Sequence, residues 1–234
     1  MQYINFHTHL YPDDLRSTKA IISCVAPEPL PKCPENVWFS YGIHPWYLQG
    51  HDTSNLLKTV EINAKDPCVL AIGEAGLDKI KGPSFDLQEK IFCRQIDISE
   101  KTGKPLIIHS VKANHEILHL RKTLKPRQSW ILHGFSGHPQ EAEQLVSSGF
   151  LLSFGPKILF HDGKAEASFR QVPEGHFFLE TDHSNKSIKA LYEKGAAIRG
   201  TTQSKLMESI NRSFTNLFDL SDGMAGTNRI ADRK

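Results

Sequence analysis

Eight short apolar runs recur along the 234-residue chain: YINFHT, AIISCV, VWFSYGIH, CVLAIGE, PLIIHS, SWILHG, FLLSF and HFFLETD. Each has strand length and draws on β-branched and aromatic residues. Between several of them the apolar period lengthens to that of a helix. In DLQEKIFCRQIDISEKTG, Leu87, Ile91 and Ile98 mark the apolar face, and Gly103 is a natural stop. In HPQEAEQLVSSG, Pro139 suits a first turn, Ala142, Leu145 and Val146 form the stripe, and Gly149 ends it. SKLMESINRSFTNLF repeats Leu206, Ile210, Phe214 and Leu217 at helical spacing. VAPEPLPKCPEN, with four prolines, reads as a loop.

Strands alternating with helices imply parallel βαβ units. Eight of them predict an α/β chain folded as a (β/α)8 TIM-type barrel, a single domain over residues 1–234, with active groups at the C-terminal strand ends. The length is somewhat short for that fold, so the barrel is expected to be distorted, with some helices truncated. HTHLYPDDLRSTK leaves little room between the first two strands, and the tail after about residue 219, poor in apolar residues, is expected to fray. A doubly wound open sheet is the rival architecture.

Composition narrows the class only a little. Hydrophobic residues make up 39% and charged ones 23%, and the formal net charge is +2. That balance permits a nucleic-acid substrate without announcing one. No run approaches a membrane span, and no leader pattern stands at the start. Cys24, Cys33, Cys68 and Cys93 form no C-x-x-C pair. The expectation is a cytoplasmic protein with reduced thiols.

The strand ends carry the chemistry. The first strand ends in His7 and His9, the third in His44, the fourth in Glu74, the fifth in His109, the sixth in His133, and the eighth in Glu180 and Asp182. Strict alternation puts Ile72 with Glu74, Ile107 with His109, Ile131 with His133, and Phe178 with Glu180 and Asp182. An apolar floor under a polar rim follows. Taken singly, a strand-end histidine is an ordinary hydrogen-bonded residue, and GE or TD an ordinary turn. Together they form a set of nitrogen and oxygen ligands for zinc, manganese or related ions. Such a set exceeds one catalytic ion's needs and suits two ions roughly 3.5–4 Å apart sharing a carboxylate. Histidines 51, 115, 119, 138, 161 and 176 fall in loops or on helices and read as solvated or structural.

FHTHL, GIHP, GEAGLD, LIIHS, HGFSG and LETD, in this order, resemble the TatD-type metal-dependent deoxyribonucleases, part of the wider amidohydrolase-like barrels. The resemblance runs from about Ile4 to near Phe218. It implies two divalent ions (Zn, Mn or Mg), one on His7, His9 and Asp182, the other on His109 and His133, with Glu74 bridging. It also implies hydrolysis of phosphodiester bonds in DNA, often single strands from the 3′ end. Asp182 would orient the attacking water and take its proton, and His44 would face the substrate phosphate.

Several positions depart from the family's pattern. Asn5 stands where an aspartate is common. Val111 and Lys112 replace an Arg-Asp step, exchanging a phosphate-matching fork for a point charge. Trp46 replaces a second histidine and is a candidate for stacking on a base or for packing under a loop. His183-Ser184 replaces Ser-Pro. Lys112 and, more weakly, Lys157 are further candidates for holding substrate charge. Two other readings use the same barrel: a small-molecule amidohydrolase or lactonase, and a binding module without turnover.

Overall fold

All eight apolar runs are strands in the computed structural model, which describes residues 1–160 and 163–220. They are β1 (Tyr3–Thr8), β2 (Thr18–Val25), β3 (Val37–Gly42), β4 (Val69–Asp78), β5 (Leu106–Val111), β6 (Trp130–Leu132), β7 (Phe150–Phe154) and β8 (Phe177–Leu179). Each pairs in parallel with the next, so spatial order follows chain order. A parallel bridge between Thr8 and Asp182 brings β1 back to β8. The seam is completed by Asp182 N–H to His7 O at 3.0 Å and His9 N–H to Asp182 O at 3.3 Å. This is the predicted (β/α)8 barrel rather than an open sheet.

Among the described residues seven α-helices surround it: α1 (Thr53–Asn63), α2 (Phe85–Thr102), α3 (Asn114–Leu124), α4 (Pro139–Ser147), α5 (Lys164–Gln171), α6 (Ile188–Arg199) and α7 (Gln203–Phe218). No α-helix follows β1 or β2. The shortness of the chain is thus met largely by omission, and the proline-rich segment is the loop into β3. The predicted helices match α2, α4 and α7. Gly103 caps α2 in the left-handed region, Pro139 opens α4, and Leu206, Ile210 and Phe214 are the buried stripe of α7. The expected fraying tail and His161 lie outside the described residues.

The strands are buried along almost their whole length, as expected of a parallel sheet covered on both faces. Strict alternation fails at two strands that matter. Between Asn5 and Thr8, β1 takes three steps while β2 takes two, and β4 gains a residue against β5 between Ile72 and Ala75. Such bulges re-aim side chains, and these two lie beside His7 and Glu74. Gly73 and Gly76, at φ +138° and +150°, make the second possible: a Cβ there would overlap the carbonyl oxygens of Ile107 and His109.

Helix α2 fixes two site-bearing loops with buried amides. Gln95 receives the Ile43 N–H at 2.7 Å and donates to Ile43 O at 3.0 Å, just before His44. Gln88 receives the Asp78 N–H at 2.8 Å and donates to Asp78 O at 3.0 Å. The reduced-thiol expectation fails for Cys33 and Cys68, which form a disulfide with Cα atoms 6.3 Å apart; Cys24 and Cys93 are free. Thirty-five residues separate the bonded pair, and only the register of β3 with β4 brings them together. No helix among the described residues is long and apolar enough to cross a membrane.

Candidate metal centre

Glu74 is the hub. Its side chain is buried, and its two carboxylate oxygens face different histidines. Oε2 lies 3.4 Å from His7 Nε2 and 3.6 Å from His9 Nε2. Oε1 lies 2.8 Å from His133 Nε2, 3.0 Å from His109 Nδ1 and 3.2 Å from His44 Nε2. Asp182 stands on the first side, its Oδ1 3.4 Å from His9 Nε2 and 3.8 Å from His7 Nε2. Four of the sequence-predicted ligands, His7, His9, His109 and His133, therefore face the carboxylate of a fifth, Glu74, and the sixth, Asp182, faces His7 and His9, at the C-terminal end of the barrel. His44, read from the sequence as a substrate contact, faces Glu74 as well.

Several polar atoms here lack ordinary partners. His7 Nδ1 and Nε2 and His9 Nε2 are buried without a hydrogen bond. An orphaned buried imidazole is costly unless a cation or proton occupies the space in front of it. The groups His7–His9–Glu74, His7–His133–Asp182 and His44–Glu74–His109 each place their ligand atoms within 4.8 Å of one another. The donor set of neutral imidazoles and carboxylates suits a divalent ion, so the residues fit the implied cations.

Charge coupling follows from the same distances. Burial works against an ionised Glu74, but His133, His109 and His44 hold its carboxyl well below the ordinary range. Burial likewise opposes Asp182, yet His9 and the nearby His7 and His133 hold it at about 2. Burial opposes a charged His9, but Asp182 and Glu74 outweigh it and raise the ring to about 9. His133 is raised well above the ordinary value, burial being outweighed by Glu74 and Glu180. His44 is lowered, chiefly by burial.

The site contains partners that sequence reasoning missed. Asp78 is buried; its Oδ2 lies 3.1 Å from His109 Nε2 and accepts the Trp46 indole N–H at 2.6 Å. Its position four residues after Glu74 on one strand was the available signal. Glu180, seen as a strand-end carboxylate without a role, is fully buried; its Oε1 lies 3.3 Å from His133 Nδ1 and accepts the Gly134 N–H at 2.8 Å. Asn5 receives the Thr181 N–H at 2.9 Å and donates to Thr181 Oγ1 at 2.8 Å, tying β1 to the end of β8.

The remaining candidates lie around this centre. The Trp46 ring is partly buried, edge-on to His44 and His109, with Lys81 Nζ 4.2 Å from its centroid. Beside His109 and His133 opens a cavity of about 440 Å³, reached by Lys112, Lys157 and Asp182. Both lysines are exposed, and Lys157 donates to Ser136 at 3.0 Å. His183 is exposed and stacks on His9, rings 3.6 Å apart and nearly parallel. His51, His115, His119 and His138 are exposed and His176 is partly buried; none joins the described cation clusters.

The comparisons point one way. A family model described as TatD related DNase matches residues 26–219, which takes in Glu74, His109, His133 and Asp182 and begins after His7 and His9. The tatdn3 protein of Danio rerio, which carries a provisional deoxyribonuclease name, is 30% identical over 213 residues, covering 79% of this chain and 77% of that one. YjjV of Escherichia coli, described as an uncharacterized metal-dependent hydrolase, is 29% identical over 150 residues, 62% of this chain and 58% of that one. A crystal structure of the E. coli YjjV TatD homologue superposes with a TM-score of 0.80 at 21% identity, over 94% of this chain and 98% of that one.

Proposed function

Since the chain belongs to the TatD-related family of metal-dependent hydrolases, we propose that it hydrolyses phosphodiester bonds in DNA, single strands and 3′ ends foremost, at a centre of two divalent cations. The observation that carries the reading is the division of Glu74 between two clusters, one oxygen toward His7 and His9, the other toward His109 and His133. In this reading His7, His9 and Asp182 hold one cation, His109 and His133 the other, and Glu74 both. Zinc, manganese and magnesium all suit such ligands. A bound pair would lower the pKa of the attacking water from about 15.7 toward 7 and draw charge from the phosphate oxygens.

The protein's own groups supply the rest. Asp182 is the ligand carboxylate that opens to the cavity, with over a third of its side chain exposed. It is ionised at any physiological pH and so is ready to orient the water and take its proton. His44, partnered through Nδ1 by the Trp46 N–H at 3.2 Å, directs Nε2 toward the centre, where it meets the scissile phosphate. Lys112 and Lys157 hold neighbouring phosphates from the cavity rim.

The test is a substrate panel. Protein loaded with Zn2+ or Mn2+ is incubated with end-labelled single-stranded DNA and with a set of lactones, amides and carboxylate esters. DNA shortening that Asp182→Asn abolishes is the expected result. Intact DNA beside a cleaved lactone or amide would replace this reading with that of a small-molecule hydrolase. Metal analysis showing well under one ion per chain after loading would remove both.

A further inference from the structure

A neutral imidazole has one N–H and one lone pair, and its partners decide which nitrogen carries which. His109 has a carboxylate on each side: Glu74 Oε1 at 3.0 Å from Nδ1, and Asp78 Oδ2 at 3.1 Å from Nε2. Both carboxylates accept only, so one side must hold a cation or a second proton. Asp78 is the side built for an N–H. Its Oδ1 receives the backbone N–H groups of Ile80 and Lys81 at 2.7 and 2.9 Å, and its Oδ2 receives the indole N–H of Trp46 at 2.6 Å. Gln88 on α2 grips its backbone N–H and C=O. The carboxylate is therefore ionised, buried and held by three donors, and its backbone by Gln88, before His109 is considered.

We propose that Asp78 is a positioning residue that locks His109 with its proton on Nε2, leaving the Nδ1 lone pair for the cation beside Glu74, and that Trp46 belongs to this lock. The inference rests on the cation-binding reading of His109 given above. Trp46 follows His44 by two residues, so the same carboxylate that aims a ligand also tethers the loop carrying the substrate-facing histidine. Outer partners of this kind are worth roughly 10–100-fold in metal affinity.

Substitution by asparagine makes the prediction sharp. In Asp78→Asn, the amide oxygen keeps the Ile80 and Lys81 donors, which turns the NH2 group toward His109 and deprives the Trp46 indole N–H of its acceptor. An N–H then faces His109 Nε2, which must accept, and the ring proton moves to Nδ1, where it blocks the cation.

Protein labelled with 15N in its histidine rings, stripped by chelator and then titrated with Zn2+, reads the lock directly. His109 signals are assigned by their loss in His109→Gln. In the Zn2+-loaded wild type, Nδ1 is expected at a metal-bound shift with the proton on Nε2. In the stripped protein, the neutral ring is expected to carry its proton on Nε2. Asp78→Asn should move it to Nδ1 and weaken Zn2+ binding roughly 10–100-fold. Trp46→Phe should keep the tautomer and weaken Zn2+ binding in the same direction. A wild-type His109 protonated on Nδ1, or an Asp78→Asn protein with unchanged tautomer and affinity, overturns the proposal; unchanged Zn2+ affinity in Trp46→Phe removes Trp46 from the lock. The wild-type tautomer is readable even if a variant does not fold. A chain that binds no Zn2+ while keeping the Nε2 proton would sink the hydrolase reading and leave the part of Asp78 standing.

Discussion

Lowering the pH should weaken cation binding steeply through His9. Without a cation, the ring sits between Glu74 and Asp182 and holds its proton up to about pH 9. A cation needs the neutral ring, so binding must displace that proton. The sign is therefore fixed: affinity rises with pH, and the His9 contribution levels above about 9. At pH 7 the ring lies two units below its titration point, and each unit is a factor of ten, so His9 alone weakens apparent binding about a hundredfold. His133, also held protonated, adds to the same slope. Asp182, at about 2, and Glu74, held low, are already ionised and add none above roughly pH 4. Calorimetric titration with Zn2+ at pH 7 in buffers of different ionisation enthalpy detects the protons: release is expected as the clusters fill, with the share from His9 vanishing above about pH 9. Heats independent of buffer, or an affinity flat between pH 6 and 9, would refute the coupling of these imidazoles to the carboxylates.

Other outcomes follow from the same geometry. Glu74→Gln, which removes the charge shared by both clusters, should cost more affinity than the roughly 10–100-fold of an outer partner; metal analysis after dialysis checks it. Tyr192→Phe should destabilise the fold by about 1–3 kcal/mol, measured by chemical denaturation, because its buried hydroxyl both accepts from Ile4 N–H and donates to Ile4 O. Lys112→Ala and Lys157→Ala should each lower the salt slope of single-stranded DNA binding by about 0.7 for every phosphate left without its lysine.

The elements that could be read from the sequence are those whose signals are local. His109 and His133 end short apolar strands, and Leu206, Ile210 and Phe214 repeat at helical spacing, so the barrel, these two clustered imidazoles and α7 could all be read from the sequence. Long-range register could not. The bulges at β1 and β4 have no marker in a single sequence beyond glycines that serve many purposes. The Cys33–Cys68 bond joins two loops that only strand pairing brings together. Asp78 was hidden because an aspartate closing GEAGLD looks like a turn residue, and its partner Trp46 suits stacking on a base or packing under a loop equally well.

The closing seam of the barrel has a mechanical consequence. Strands β1 and β8 meet through few backbone bonds, around Thr8 and Asp182, some 174 residues apart in sequence. His7 and His9 stand on one lip and Asp182 on the other. A cation held by these three would act as a clasp between the two ends of the cylinder, resisting its parting as well as serving chemistry. Loss of that ion would then open the protein first where its earliest and latest strands join, and protection of the His9 and Asp182 amides from hydrogen exchange would follow the concentration of free metal.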